Sequence, residues 1–359
     1  MLNVECSGAG NYELQGIKNN LVMQAIICQE PGRLEKIEIA DSIPGPGQVL
    51  LQIKAIGICG TDLHAYAGNQ AYFTYPRILG HELGARVLEV GNGVDHLKSG
   101  DKAVILPYFS CGKCIACRNG QPNCCQKLNV FGVHSDGGMK EKIVVDAVYV
   151  RQIVGLEFEE IALIEPLAIG AHALSRASLR PGEWIVVVGC GPIGLGIMAQ
   201  ALHAGCKVIG VDVVESRLNF AKEAFGVLTV PADRAIAYIK EQTGGDLATA
   251  VFDATGYKPA LETGIEYMAH GGRYVLVGLS KGDLCFSHPA IHAKETTILC
   301  SRNATWLDFD KVIAYLKTGG FPASKYISHQ VPFEHVVDTF ADWLDPEAGV
   351  IKAMATLNG

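Results

Sequence analysis

Three short stretches of this 359-residue sequence gather side chains that bind metals. Gly57-Ile58-Cys59-Gly60-Thr61-Asp62-Leu63-His64 places a thiol and an imidazole in one turn-rich loop after a strand-like run. Gly80-His81-Glu82 adds a second imidazole beside a carboxylate. Thiolate, imidazole and carboxylate together suit zinc. Glu165, in Leu163-Ile164-Glu165-Pro166-Leu167, is an acid in an otherwise apolar helix start, where an unpaired charge is costly to bury and a metal ion offsets that cost. Taken singly, each residue has an ordinary role: a small core thiol, a hydrogen-bonded histidine, an acid favouring a helix N-terminus. Spacing alone does not show that the stretches meet.

A second group is more compact. Cys111, Cys114 and Cys117, followed by Cys125 after seven intervening residues, have the short separations of a knuckle around one tetrahedral ion. Four thiolates leave zinc no open position, so such a site is structural. The spacing also admits iron, and Cys124 competes with Cys125 for the fourth place.

Gly189-Cys190-Gly191-Pro192-Ile193-Gly194 follows the apolar run Val186-Val187-Val188 and opens a helical stretch, Ile193 to Ala204. Glycines at these positions allow a tight turn, close approach of backbone to a pyrophosphate, and close packing of helix on strand. Asp212 ends the next strand-like run about 20 residues on, where a carboxylate accepts hydrogen bonds from ribose hydroxyls. Its charge repels a 2′-phosphate and Val213-Val214 offers no cation beside it, which favours NAD over NADP. Arg217 is the one nearby cation, facing either the adenine side or a phosphate.

These groups need two kinds of scaffold. From Met23 to about Val150, strand-like runs (Gln24 to Cys28, Gln48 to Ala55, Ala85 to Val90, Lys102 to Leu106, Lys142 to Val145) alternate with glycine and proline turns, predicting a mostly β, barrel-like body. Near Glu157 the texture changes. Glu160 to Leu174 reads as a helix, and Val186 to Val188, Lys207 to Val211, Thr249 to Phe252, Arg273 to Val277 and Thr297 to Cys300 read as successive strands of a doubly wound parallel sheet. Asp308 to Leu316 and Phe333 to Leu344 read as helices. Met1 to Val22 lacks a basic start followed by an apolar run, so it reads as a loose extension rather than a secretory signal.

Composition limits the partners. A formal charge of −7 with no block of lysines or arginines gives no footprint for nucleic acid or anionic membrane, and no apolar run approaches the ~20 residues of a membrane span. The expected partner is a small molecule. Of twelve cysteines, five fall between Cys111 and Cys125 and others sit in apolar runs, which predicts metal binding in a reducing cytoplasm rather than a disulfide framework.

From Met23 onward the combination resembles the zinc-containing medium-chain dehydrogenase/reductase family. Within it the chain is similar to the polyol branch of sorbitol and threonine dehydrogenases, and especially to sugar-acid enzymes such as the L-idonate and L-galactonate 5-dehydrogenases. The resemblance implies an α/β protein with a GroES-like catalytic domain over 23–156, a Rossmann NAD-binding domain over 157–297 and a return to the catalytic domain over 298–359, after an extension over 1–22. It makes Cys59 and His81 catalytic zinc ligands, Glu82 a third ligand or a nearby acid, and Glu165 a carboxylate that binds the metal directly or through water. It makes Thr61 and His64 a proton relay and Asp62 the acid that orients a zinc-bound histidine. It also selects Cys125 over Cys124 for the structural zinc, giving two zincs per chain. Gly132-Val133-His134-Ser135-Asp136-Gly137-Gly138 and Ser301-Arg302-Asn303-Ala304 resemble loops of the sugar-acid group. Arg302 there serves the cofactor phosphates or a substrate carboxylate, while His134 and Asn303 either contact substrate or merely build their loops.

The implied reaction is oxidation of a secondary alcohol, a polyol or sugar acid, by NAD in a homodimer or homotetramer. Threonine or simple alcohols are the alternative substrates on the same scaffold, and a non-catalytic NAD-binding protein is the remaining alternative.

Overall fold

The computed structural model describes residues 22–70 and 73–358. Of the expected extension, only Val22 falls within them, and it opens the strand Val22–Glu30. The rest of that stretch lies outside the described residues.

The first half forms a mostly β body. Its larger sheet runs Val150–Gln152, Lys102–Ile105, Glu82–Val90, Gln48–Ile58, Lys352–Thr356, Ile327–Pro332, with Lys142–Asp146 also paired to Gln48–Ile58. A three-stranded sheet of Arg33–Ala40, Val22–Glu30 and Arg77–Ile78 accompanies it. Two of these pairings bear directly on the metal-binding stretches. Gly57 pairs with Glu82 across Gln48–Ile58 and Glu82–Val90, and Met354 pairs with Gly57 on the other side. Side-by-side pairing thus brings Cys59, His81 and the C-terminal strand to one end of one sheet.

The second sheet is wholly parallel, in the order Leu228–Pro231, Lys207–Asp212, Trp184–Val188, Ala248–Asp253, Met268–Leu276, Thr297–Cys300. This is the doubly wound arrangement, with the order reversing between Trp184–Val188 and Ala248–Asp253, where such folds open a ligand crevice beyond the strand ends. Its central strands, Trp184–Val188, Lys207–Asp212 and Ala248–Asp253, are near-continuous apolar runs because both faces are covered. Val186, Val188, Ile209 and Val251 pack into a core on one face, and Ile185, Val187, Val208 and Phe252 into the core on the other.

Several expectations shift at this level. Glu160 to Leu174 is two helices, Phe158–Ala162 and Ile164–Ala177, meeting at Leu163. Pro166 lies in the first turn of the second, where its missing N–H costs no helix bond. Phe333 to Leu344 is not one helix but three short turns, Phe333–His335, Val336–Thr339 and Asp342–Leu344. Its apolar residues Phe333, Val336, Phe340 and Trp343 still bury together against the β body, so the helical spacing marked a buried face rather than a continuous rod. Strands Leu228–Pro231, Ile327–Pro332 and Lys352–Thr356 are additions to those read from the sequence. None of the helices among the described residues is long and apolar enough to cross a membrane.

Candidate active site and metal centres

Cys59 follows directly on strand Gln48–Ile58 and is the N-cap of helix Gly60–Tyr66. Asp62, at the third helical position, ties this loop to its neighbour. One carboxylate oxygen accepts from the Cys59 N–H (3.0 Å), and the other accepts from the Gly80 N–H (3.1 Å) and lies 3.9 Å from His81 Nδ1. A sulfur of Cys59, a ring nitrogen of His81 and a carboxylate oxygen of Glu82 all lie within 4.8 Å of one another. Two sequence stretches are therefore one cluster in space.

The charge balance of this cluster calls for a cation. Asp62, Glu82 and Glu165 are all buried there, against one buried ammonium, that of Lys352. Burial alone disfavours a charged His81, yet Cys59 and Asp62 beside it carry the net direction well upward. Burial pushes Glu165 up to about 7, with His81 pulling down and Glu82 pushing further up. His81 Nδ1 is buried without a hydrogen-bond partner, since 3.9 Å to Asp62 is beyond hydrogen-bond reach. A sulfur, nitrogen and oxygen donor set, short of positive charge, fits zinc.

Two partners of this cluster escaped the sequence reading. Lys352, only 3% exposed, donates through Nζ to both Glu82 oxygens (2.7 and 2.8 Å) and to the Ile58 carbonyl (3.1 Å). The Glu82 carboxylate occupies the space beside Gly57, where a Cβ would stand 2.1 Å from Oε2; only glycine admits it. Tyr108, also buried, donates its hydroxyl to Glu165. Glu165 stands in the first turn of Ile164–Ala177, outside the tight group but near enough to act on His81. A lysine inside the apolar run Ile351 to Ala355 was the available signal for Lys352; nothing local set Tyr108 apart.

Thr61 and His64 lie on the helix that Cys59 caps, three residues apart and so on one face. Thr61 is half-buried and His64 exposed.

The second cluster closes without the fifth cysteine. Cys111, Cys114, Cys117 and Cys125 offer sulfurs within 4.8 Å of one another, with Cys114 Sγ 3.5 Å from Cys117 Sγ and 3.9 Å from Cys125 Sγ. Backbone N–H groups of Cys111 and Lys127 point at Cys125 Sγ (3.2 and 3.3 Å), and those of Cys117 and Gln126 hold Cys114 down to about 6. Cys125 is buried within the group, whereas Cys124 is exposed and outside it.

In the parallel sheet, Gly189 ends strand Trp184–Val188 with φ 95°, Gly191 is the N-cap and Pro192 the first residue of helix Pro192–His203. A Cβ on Gly194 would sit 1.8 Å from the Gly189 carbonyl, so helix and turn meet at a distance only glycine permits. Ile193 follows Pro192 in the first helical turn. Asp212, buried at the end of Lys207–Asp212, accepts from the Cys190 N–H (2.7 Å) and the Val214 N–H (2.9 Å), which locks the carboxylate against the glycine turn. Arg217 is exposed on the following helix, close enough for its charge to act on Cys190. Asp253, missed from the sequence, ends the adjacent strand Ala248–Asp253, fully buried, with one oxygen held by Thr255 and the other without a partner.

Arg302 and Asn303 follow the last parallel strand, Thr297–Cys300, and His134 lies in the loop after Asn129–Val130. They are brought near one another rather than into the Cys59 cluster.

Known proteins share this two-part architecture. Residues 45–154 match the alcohol dehydrogenase GroES-like domain, and residues 192–318 the zinc-binding dehydrogenase model. L-galactonate-5-dehydrogenase of Escherichia coli is 40% identical over 336 residues, 93% of this chain and 99% of that one. The chain belongs to the zinc-binding dehydrogenase family. Among other members of this zinc-binding dehydrogenase family, 2-dehydro-3-deoxy-L-galactonate 5-dehydrogenase of Pseudoalteromonas atlantica is 31% identical, covering 88% of this chain and 93% of its own length. A solved alcohol dehydrogenase from E. coli, complexed with cofactor NADH, superposes with a TM-score of 0.86 at 31% identity, covering 93% of this chain and 99% of that one. As a zinc-binding alcohol dehydrogenase the chain is an enzyme, with a GroES-like part and a Rossmann-type sheet.

Proposed function

We propose that this enzyme oxidises a secondary alcohol of a sugar acid, passing hydride to NAD. The observation that carries the reading is the group of half-buried Cys59 with buried His81 and Glu82, built at one sheet end in a chain that also holds a dinucleotide turn. Cys59 and His81, with the carboxylates of Glu82 and Glu165, would hold the catalytic zinc; Cys111, Cys114, Cys117 and Cys125 would hold a structural one. When bound, zinc supplies the Lewis acidity that lowers the pKa of a substrate hydroxyl, and NAD supplies the hydride acceptor.

The chain's own residues do the rest. Asp62 fixes the two loops that carry Cys59 and His81. Lys352 holds Glu82 from behind and keeps its charge balanced. Thr61 and His64 carry the substrate proton outward, a hydroxyl handing it to an exposed imidazole. The Gly189, Gly191, Pro192, Ile193 and Gly194 turn receives the pyrophosphate, and Asp212, braced by two backbone N–H groups, accepts from the adenosine ribose. Arg217 faces the adenine side. We divide the chain at 156/157 and 297/298 between catalytic part, NAD-binding part and return. The enzyme acts in the cytoplasm, where thiols stay reduced, as a homodimer or homotetramer.

Sugar acids are favoured because two relatives are named for galactonate-type substrates. NADH formation across hexonates, hexitols, threonine and simple secondary alcohols tests the reading. Hexonates should give the highest kcat/KM; a hexitol, threonine or simple alcohol turned over best would contradict it.

A further inference from the structure

We infer that Arg302 and His134 form the subsite for the substrate's carboxylate, and that Asn123 of the four-cysteine lobe holds it in place. The inference rests on the sugar-acid reading above and names the residues that would enforce it.

His134 projects from a loop that is stitched to the approach to His81. Gly137, Gly138 and Met139 donate backbone hydrogen bonds to the Ile78, Gly80 and Leu79 carbonyls (2.7, 2.8 and 2.9 Å). The Val130 N–H donates to His134 Nδ1 (2.9 Å), so in the neutral ring the proton sits on Nε2, which is left as a donor. Burial, then the charges of Arg302 and Arg77, hold the imidazole in that neutral form. Of the two arginines, Arg77 is compensated by Asp136 (3.4 Å), whereas the Arg302 guanidinium makes no ion pair or hydrogen bond among the described residues. A guanidinium without a counter-ion near a neutral N–H donor gives two exposed donors, and a carboxylate is the planar acceptor that a guanidinium fork matches.

The placement of Arg302 is not left to a free loop. Asn123 is 4% exposed, in the turn Pro122–Cys124 between Cys117 and Cys125. Its side-chain amide donates to the Arg302 carbonyl (3.0 Å) and to His172 Nε2 (3.1 Å), and its backbone carbonyl accepts from the Asn303 side-chain amide (3.4 Å). His172 Nδ1 donates in turn to buried Asp308 (2.9 Å), which leaves Nε2 to accept from Asn123. Asn303 adopts the left-handed conformation (φ 53°) that turns the chain at this point, one that asparagine tolerates better than most residues. The cysteine lobe therefore clasps the Arg302–Asn303 turn from outside the parallel sheet.

Arg302 lies beyond the carboxyl end of a parallel strand, where cofactor phosphates also bind, so the test must separate the two ligands. Arg302→Gln, His134→Ala and Asn123→Ala are assayed with a hexonate, the matching hexitol and a hexitol phosphate, with NAD varied independently. Loss of one charge-assisted contact predicts a KM for hexonate raised about 10- to 100-fold in Arg302→Gln. Hexitol kcat/KM and the KM for NAD should stay within about twofold, the size of a lost surface contact. His134→Ala and Asn123→Ala should show the same split, raising KM with kcat held. A raised KM for NAD, equal losses on hexitol and hexonate, or a hexitol phosphate as the anion discriminated would overturn the assignment. Titration of hexonate into the enzyme–NAD complex separates this from the reaction itself. Arg302-dependent binding without oxidation keeps the subsite and removes the reaction, and undiminished hexonate oxidation by Arg302→Gln does the reverse.

Discussion

Cys59→Ala should lower kcat/KM for the alcohol by about a thousandfold or more, because Lewis-acid stabilisation is worth several kcal/mol and each ~1.4 kcal/mol is a factor of ten. NADH should still bind, since the glycine turn and Asp212 lie in the other sheet and share no hydrogen bond with the Cys59 loop. Fluorescence titration of NADH against the variant checks the second half, and steady-state turnover the first. The thiol's role as N-cap adds little to the effect, because the helix it opens is also held by the Asp62 carboxylate on the Cys59 backbone.

Lys352→Met should cost the metal-stripped protein about 3–5 kcal/mol, because it leaves the Glu82 carboxylate buried without its partner. Both side chains are almost wholly buried, so solvent does little to soften the loss. Lys352→Arg, which keeps the charge, should be milder. Added zinc should recover part of the stability of Lys352→Met by supplying Glu82 with another cation and by binding only the folded state. Urea midpoints of the stripped and zinc-loaded proteins measure this. Equal midpoints for stripped wild type and Lys352→Met would mean that the ion pair contributes nothing.

The glycine turn and the cysteine knuckle were legible in the sequence because each is a local object: a few residues of fixed spacing in one loop. The parallel sheet was legible because strands covered on both faces are uniformly apolar, as in Val186-Val187-Val188. The Cys59 site was only half legible. Its ligand types could be read, but their meeting depends on Gly57 pairing with Glu82 across two strands, which no local pattern encodes. Lys352 lies 270 residues from Glu82 and joins it only through a C-terminal strand that the sequence reading did not assign. The segment from Phe333 to Leu344 misled for a related reason: its apolar spacing records which residues touch the β body, and three separate turns satisfy that contact as well as one helix does. The clasp of Asn123 on the Arg302 turn, 179 residues away, was likewise invisible until the lobe and the last parallel strand were seen together.

The central claim is that the Cys59 and His81 cluster holds the metal on which turnover depends, separately from the knuckle and from the cofactor. It is tested most directly by counting zinc per chain while a chelator is titrated in, with turnover and NADH binding followed on the same samples. The native enzyme should carry about two zincs per chain, and turnover should vanish with the loss of one of them while NADH binding persists. Full turnover in a preparation stripped of all metal would contradict the account.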